Sequence, residues 1–337
     1  MLSLVTGASG FVGLAIVRRL LAEGDRVRAL TLPGDRRLPE LRGLGADDQL
    51  EVVEVDLTNA DAVPPHFAGV ARVFHTAALV HGWHPRDRYQ AVNIEGTHHV
   101  AHSARAYDVQ RFVHVSTSDV FGIPNSDEVI DESTPYRNWN EPYPDTKIEA
   151  ERWLWRFHRE AELPLSVIYP CWVYGPGDQA FFPSLARAID DGFMMFWHRH
   201  TKMYWSYVDN LVDAILLASH HPNAVGNGYL VHDGDDGPTL QEVCARIAAV
   251  IGKRPPTRHV PYAVANTAAR LAAFVWTVFV LRGEPPLLTN DVKSFGSQWR
   301  ISNAKLRREL GWSPRVSIPD GMERALEYLR LHFQSKR

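Results

Sequence analysis

The 337-residue chain has only two cysteines, Cys171 and Cys244. They stand far apart and without metal-site spacing, so neither a disulfide framework nor a thiolate metal centre is expected, and buried thiols in a reducing compartment are. Net charge is nearly absent as well. Against 36 Lys and Arg stand 39 Asp and Glu, a formal charge of −3 with a pI near 6.6, which gives no electrostatic reason to bind nucleic acid or an anionic membrane. No basic region precedes the first apolar stretch and a strand begins at residue 2, so no signal peptide is read and a cytoplasmic location is expected. Long apolar runs are missing too. The longest, Leu271–Leu281, is shorter than the roughly 18–20 residues a span needs and is bounded by Arg270 and Arg282. Segment 262–282 therefore reads as a buried or lid helix in preference to a monotopic membrane contact, which would leave the protein peripheral to a membrane. There is no internal repeat and no low-complexity run. What the chain does have is 45% apolar residues, enough for a substantial core in one large or two modest domains.

Two local patterns carry chemistry. The first is Leu2-Ser-Leu-Val-Thr6-Gly7-Ala-Ser9-Gly10-Phe11-Val12-Gly13, an apolar strand running into Gly-x-x-Gly-x-x-Gly and an apolar helix, Leu14 to Leu21. Gly7 permits the tight turn, Gly10 lets backbone approach a pyrophosphate, and Gly13 lets helix and strand pack closely with the helix N-terminus facing phosphates. The second is Tyr143-Pro-Asp-Thr-Lys147. On a helix beginning near Pro144 the two outer residues share a face, and an ammonium beside a phenol favours the phenolate, so Tyr143 can take or give a hydroxyl proton. His81-Gly-Trp-His84 holds two imidazoles but no carboxylate or cysteine at ligand spacing, and no metal is expected. His198-Arg-His200 reads as a solvated loop.

Strand-like apolar runs at Arg26–Leu32, Leu50–Val55, Arg72–Thr76, Arg111–Ser116 and Leu165–Tyr169 alternate with amphipathic stretches, the clearest at Asp87–Tyr107 and Thr146–Ala161. This rhythm predicts an α/β fold of Rossmann type, a doubly wound parallel sheet, with a smaller, mostly helical C-terminal part. Gly24 reads as a helix stop, Asp209 as the N-cap of an apolar helix to Ser219, and Gly226–His232 as one more strand. The expected division is a nucleotide-binding domain over 1–172, to which 205–232 returns, and a substrate-binding domain over 173–204 and 233–337. Helices 87–107 and 144–161 leave a homodimer open.

With these residues placed, most of the chain resembles the extended short-chain dehydrogenase/reductase superfamily, the NAD-dependent epimerase/dehydratase family. Asp56-Leu57 resembles the pair that meets the adenine, and Thr76-Ala77-Ala78 the segment passing the cofactor's centre. Asn93-Ile-Glu-Gly96-Thr97 resembles the family's Asn-x-x-Gly-Thr helix, and Val115-Ser-Thr-Ser-Asp-Val-Phe-Gly122 the strand that ends in the catalytic hydroxyl. The resemblance puts that hydroxyl on Thr117, with Ser116 and Ser118 less favoured. It implies that Thr117 hydrogen-bonds the substrate oxygen, that Tyr143 exchanges its proton, and that Lys147 holds the ribose and depresses the Tyr pKa. Asn93 ranks below these three. The implied cofactor-binding set is Gly7, Ser9, Gly10, Phe11, Val12, Gly13, Arg36, Asp56, Leu57 and Ala77, with Tyr143, Lys147, Pro170 and Val173.

Two branches of the family compete. Nucleotide-sugar epimerases and dehydratases commonly carry Arg-x-x-Asn-x-Tyr-Gly-Pro, whose Asn meets the substrate diphosphate; here Tyr169 replaces the Arg and Trp172 the Asn. A large apolar ring does not donate to a diphosphate in that way. The other branch resembles the 3β-hydroxysteroid dehydrogenases, through Tyr174-Gly-Pro-Gly-Asp-Gln179, Tyr207-Val-Asp-Asn210, Gly283-Glu-Pro-Pro-Leu-Leu288 and Glu309-Leu-Gly-Trp-Ser-Pro314. Phe181, Phe182, Phe193, Met194, Met195, Phe196, Trp197 and the 271–281 run are candidates to wall an apolar pocket. His81, His84, Ser118, Trp172 and Phe181 form the expected substrate-binding set.

The implied cofactor is NAD(P)(H). Thr31-Leu32 stands where an acid would bind the NAD ribose, while Asp35 lies beside Arg36 and Arg37, which suit a 2′-phosphate, so the reading leans to NADP(H). The expected activity is interconversion of a secondary alcohol and a ketone on a bulky, apolar, steroid-like small molecule. A nucleotide-sugar epimerase or dehydratase with tightly bound NAD is the alternative, and a non-catalytic nucleotide sensor, which has no need of a proton shuttle, ranks third.

Overall fold

A strand that is apolar along its whole length must be covered on both faces, and that requirement builds the sheet. The computed structural model describes residues 1–45, 48–80, 82–125, 128–198, 200–279, 283, 285 and 287–333. The strands are Leu2–Thr6 (β1), Arg26–Thr31 (β2), Leu50–Glu54 (β3), Arg72–His75 (β4), Arg111–Val115 (β5), Leu165–Pro170 (β6), Trp172–Tyr174 (β7), Trp205–Tyr207 (β8) and Asn227–Val231 (β9). Seven of them form one parallel sheet in the order β3-β2-β1-β4-β5-β6-β9, with Thr6 beside both Leu30 and His75. The chain winds outward from β1 to β2 and β3, then returns to β4 on the other side. The crevice beyond the C-terminal ends of β1 and β4 is where such sheets bind ligands.

Helices Phe11–Ala22 and Val208–His220 cover one face through Leu14, Ile16, Val17, Leu20, Leu211 and Ile215. Helices Gly96–Ala106 and Pro142–Ala161 cover the other through Val100, Ala104, Ile148 and Leu154. Gly24, at φ +83, ends the first helix by letting the chain reverse where an L side chain is strained.

Three local expectations change. The 87–107 stretch begins at Arg86 and passes through a π turn at Gln90–Glu95 before regular helix resumes. The helix expected near Pro144 begins at Pro142, because proline suits a first turn whose N–H would be unpaired anyway, so Tyr143 lies inside it. Asp209 is not an N-cap: Tyr207 holds that position in extended backbone, and Asp209 lies in the first turn, where its charge suits the helix dipole.

Beyond the main sheet, β7 and β8 pair in parallel, Trp172 beside Trp205. Helices Phe181–Asp190, Leu240–Val250 and Ile318–His332 close a separate core around Phe182, Phe196, Trp205, Val243 and Met322. Helix Tyr262–Val278 differs from all of these. Only Ala265 and Ala269 are buried, against Val292, so of the buried or lid helix that the sequence suggested, the buried form is excluded and a surface helix is what forms. Among the described residues no helix is long and apolar enough to cross a membrane.

Candidate active site

The glycine loop is as tight as its spacing demands. Gly7 sits at φ +63, and a Cβ there would come within 2.8 Å of the Ala77 backbone at the end of β4; a Cβ on Gly13 would come within 2.2 Å of the Gly7 carbonyl. Gly10 caps the Phe11–Ala22 helix with no side chain on the helix amides, which leaves them open to an anion. Around this loop, Ser9 Oγ meets Thr31 Oγ1 at 2.6 Å, and the Ala77 amide donates to Thr6 Oγ1 at 3.3 Å. A side chain on Gly177 would touch the Phe11 ring. Val12, Leu57 and Val173 are half-buried, Pro170 closes β6, and Asp56 is exposed with Oδ1 accepting from the Thr58 amide and hydroxyl. Arg36 is exposed, whereas Arg37 pairs with Glu40 at 3.0 Å.

The reaction groups converge at the end of β5. Thr117, extended, accepts from the Asp119 amide at 3.2 Å and starts the short turn Ser118–Phe121, and its hydroxyl is near enough to the Tyr143 phenol to lower its pKa. Lys147, one helical turn on, is buried and donates to the Val115 carbonyl at 3.0 Å and to His114 Nε2 at 3.2 Å. Asn93, in the π turn, holds the loop after β4 through both Leu79 backbone groups and donates to Thr146 at 3.1 Å. It therefore fixes the loop against the Tyr143 helix.

The electrostatics differ from the sequence expectation at Tyr143. Burial of its hydroxyl, with the Asp119 carboxylate second and the Tyr89 phenol a smaller contributor, pushes its pKa up, while the Thr117 hydrogen bond pulls it down. Lys147 is not among the groups that shift it, and its protons are directed to β5. Burial in turn lowers Lys147 to about 8, against the raising effect of Glu151. Tyr143 in this state is a protonated phenol at neutral pH, a proton donor. Asp119, raised by burial to about 6, is the other titratable group at this corner.

On the substrate side, a nearly closed cavity of about 10 Å³ is lined by Ser118, Asp119, Trp172, Tyr204, Trp299 and Ile301. Trp172 stacks on Phe181 at 4.8 Å and on Phe295 at 5.1 Å. A groove of about 520 Å³ between helices Phe181–Asp190 and Ile318–His332 is larger; neither space is lined by Thr117 or Tyr143, but the smaller one adjoins them in sequence through Ser118 and Asp119. His84 contacts Tyr89 at 6.0 Å between ring centres; His81 lies outside the described residues. Phe182 and Phe196 are core, and Phe193 is 73% exposed, so these do not wall the cavity. His198 is not solvated: it hydrogen-bonds the Gly296 carbonyl at 2.7 Å.

Sequence reasoning missed Asp119, Tyr204, Phe295, Trp299 and Glu151. Glu151 had a signal, since it follows Lys147 by the same four residues that separate Lys147 from Tyr143. The aromatic trio had none, because Tyr204 and Trp299 reach the cavity, and Phe295 reaches Trp172, from two segments far apart in the chain.

The NAD dependent epimerase/dehydratase family matches residues 3–232. A 2-alkyl-3-oxoalkanoate reductase from Stenotrophomonas maltophilia is 30% identical over 335 residues, covering 95% of this chain and 97% of the relative. A 3 beta-hydroxysteroid dehydrogenase/Delta 5→4-isomerase from Mycobacterium tuberculosis is 31% identical over 342 residues, covering 96% and 89%. Among solved structures, a dTDP-glucose 4,6-dehydratase from Streptomyces venezuelae with NAD bound superimposes with a TM-score of 0.76 at 25% identity, covering 98% of each chain.

Proposed function

We propose, because this chain belongs to the NAD dependent epimerase/dehydratase family and is thereby an NAD-dependent enzyme of hydroxyl and keto groups, that it interconverts a secondary alcohol and a ketone on a bulky, apolar, uncharged substrate of steroid-like kind. The nicotinamide, when bound, supplies or accepts the hydride. Tyr143 gives the proton to the ketone oxygen in reduction and removes it in oxidation, Thr117 holds that oxygen, and Lys147 keeps positive charge beneath the pair. A protonated Tyr143 suits the reductive direction.

The observation that carries the substrate reading is the lining of the cavity. Trp172, Tyr204, Trp299 and Ile301 line it with Ser118 and Asp119, the one charged group among the lining residues, and a carboxylate repels diphosphates and carboxylates alike. At about 10 Å³ the space holds no more than a water, so it is these side-chain types, and not the volume, that support the reading. The NADP(H) reading is supported by the strand end: Thr31 is engaged with Ser9, no acid follows it on β2, and Arg36 is exposed beside the loop. The division of labour proposed is nucleotide binding by 1–172 with 205–232, and substrate binding by 173–204 and 233–337.

Following nicotinamide absorbance with NADPH and NADH on a panel of hydroxysteroids and apolar ketones tests this. Tyr143→Phe should lower kcat by about 10²–10⁴-fold. Undiminished turnover in the variant ends the mechanism. Copurifying NAD, with conversion of a UDP- or dTDP-sugar and no net absorbance change, selects the nucleotide-sugar alternative instead.

A further inference from the structure

Tyr143, Lys147 and Glu151 follow one another by one turn on the same stripe of helix Pro142–Ala161. Glu151 is fully buried. Its carboxylate draws three hydroxyls from three parts of the chain: Ser116 Oγ donates to Oε2 at 2.5 Å, Tyr169 donates to Oε1 at 2.5 Å, and Tyr136 donates to the same oxygen. Trp155 Nε1 donates to the Tyr136 oxygen at 2.9 Å and completes the shell. Burial raises the Glu151 carboxyl above its ordinary value, the Ser116, Tyr136 and Tyr169 hydroxyls and the Lys147 ammonium pull it back down, and a carboxylate buried in charged form needs a counter-ion. Lys147, one turn earlier on the same helix, makes no direct ion pair with it, yet its charge acts on the carboxylate across that turn.

The same shortage exists on the lysine side. Lys147 faces His114 on β5, and His114 stacks at 5.3 Å on His75 of β4. Both imidazoles are neutral at physiological pH. Burial first, and then Lys147 itself, hold His75 at about 3 and His114 well below its ordinary value. His75 is further fixed between Thr6 at 2.7 Å and Thr97 at 2.9 Å. Lys147 also donates to the Val115 carbonyl, and on its own helix Tyr143 and Glu151 stand one turn to either side of it. Glu151 is the group that opposes the effect of burial on the ammonium.

We propose that Glu151 is a positioning residue of the reaction centre, the buried counter-ion that keeps Lys147 charged beneath Tyr143, and that the hydroxyls of Ser116, Tyr136 and Tyr169 are the cage that keeps Glu151 ionised. The proposal deepens, and for its catalytic consequence rests on, the reading of Tyr143 and Lys147 as the proton-handling pair. It also gives a role to Ser116: its hydroxyl is spent on Glu151, which anchors the end of β5 so that the next residue, Thr117, reaches Tyr143.

The test begins with cofactor-free full-length protein. Glu151→Gln keeps the shape and the acceptor oxygen but removes the charge, so its melting temperature should fall most near pH 6.5 and recover toward wild type as pH rises to 9 and Lys147 sheds its proton. Lys147→Met with Glu151→Gln should melt above Glu151→Gln alone, because the second change removes the orphaned charge. In turnover, the alkaline limb of the kcat/KM profile of Glu151→Gln should move down by about one pH unit, since Lys147 loses the charge that raises its pKa. Tyr169→Phe, which keeps the carboxylate, should show a smaller movement of the same sign and covers the case in which Glu151→Gln does not fold. A melting deficit independent of pH, additive losses in the double variant and an unmoved alkaline limb would make Glu151 a structural hub and overturn the proposal. Tyr143→Phe separates the two readings: if it is inactive while Glu151→Gln keeps the wild-type profile, only the counter-ion fails, whereas a fully active Tyr143→Phe sinks the proton-handling reading and leaves the melting cycle to judge the ion pair.

Discussion

The end of the sheet and the helix Tyr262–Val278 solve opposite problems. At the sheet end polar groups are held by one another, Ser9 by Thr31, His75 by Thr6 and Thr97, Asn93 by Leu79 and Thr146, Lys147 by Val115 and His114, with His114 Nδ1 left buried and unpartnered. Helix 262–278 rests on two alanines and shows Val264, Leu271, Phe274 and Val278 to solvent. A reaction centre that must hold a proton donor to within a fraction of an ångström needs the first kind of packing. A surface that meets a bulky apolar molecule needs room to move, which few buried contacts allow. The same chain thus concentrates its packing around Thr117, Tyr143 and Lys147 and withholds it along helix 262–278.

The contrast is broken most directly by emptying each side in turn. Phe74 lies fully buried on β4, between β1 and β5, at the strand whose end carries the Ala77 loop. Phe74→Ala should cost about 3–5 kcal/mol, transfer and cavity combined. Chemical denaturation with an unchanged m-value measures it. A loss below about 1 kcal/mol would mean that the sheet end repacks freely and that its rigidity has been overstated.

The two regions were also unequally legible. The sheet was readable because strand burial on both faces leaves continuous apolar runs, and because Gly7 and Gly13 stand where backbone meets backbone and no Cβ fits. Thr117, Tyr143 and Lys147 were readable because a strand end and a helical turn fix their spacing. Trp299, Tyr204 and Phe295 were not, since their approach to the cavity depends on how separate segments dock and no local period records it. Helix 262–278 was misjudged in burial for a related reason: it is apolar nearly all round, a composition that ordinarily signals burial, and the sequence does not say which side is left open. The pKa of Tyr143 was also not readable, since the sequence shows Lys147 four residues away but not that its protons go to β5.

Asp119 belongs to the sheet end, where it acts on Tyr143 and lines the small cavity with Trp172 and Trp299. Burial raises it from 3.8 to about 6, so the folded state binds its proton more tightly than the unfolded chain does. Stability from this group is complete below about 3.8 and is lost as pH rises through 6. Asp119→Asn should therefore gain on wild type in melting temperature between pH 4 and 6.5 and hold a constant difference above. Removing the charge should also lower the Tyr143 pKa and move the onset of alcohol oxidation to lower pH. A flat difference curve would place Asp119 in solvent and detach it from the cavity.

The smallest effect on stability is expected at Phe274, and it is the sharpest use of the comparison. Its ring is 62% exposed, so Phe274→Asp removes little packing and should leave the unfolding free energy within about 0.5 kcal/mol. If the helix greets apolar substrate, however, that ring covers substrate surface during entry, and losing part of a side chain's burial, about 1.4 kcal/mol, should raise KM for a bulky apolar ketone about tenfold. A small water-soluble ketone, too short to touch the helix, should keep its KM, and kcat should be unmoved for both, because Thr117, Tyr143 and Lys147 stay as they are. Equal KM for the bulky ketone in wild type and variant would show that substrate reaches Tyr143 without this helix. A fall in kcat would show instead that the loosely packed helix and the rigid sheet end are mechanically joined, through the contact of Lys293 with Glu141 at 2.6 Å and with the Trp139 carbonyl at 2.8 Å, just ahead of Tyr143.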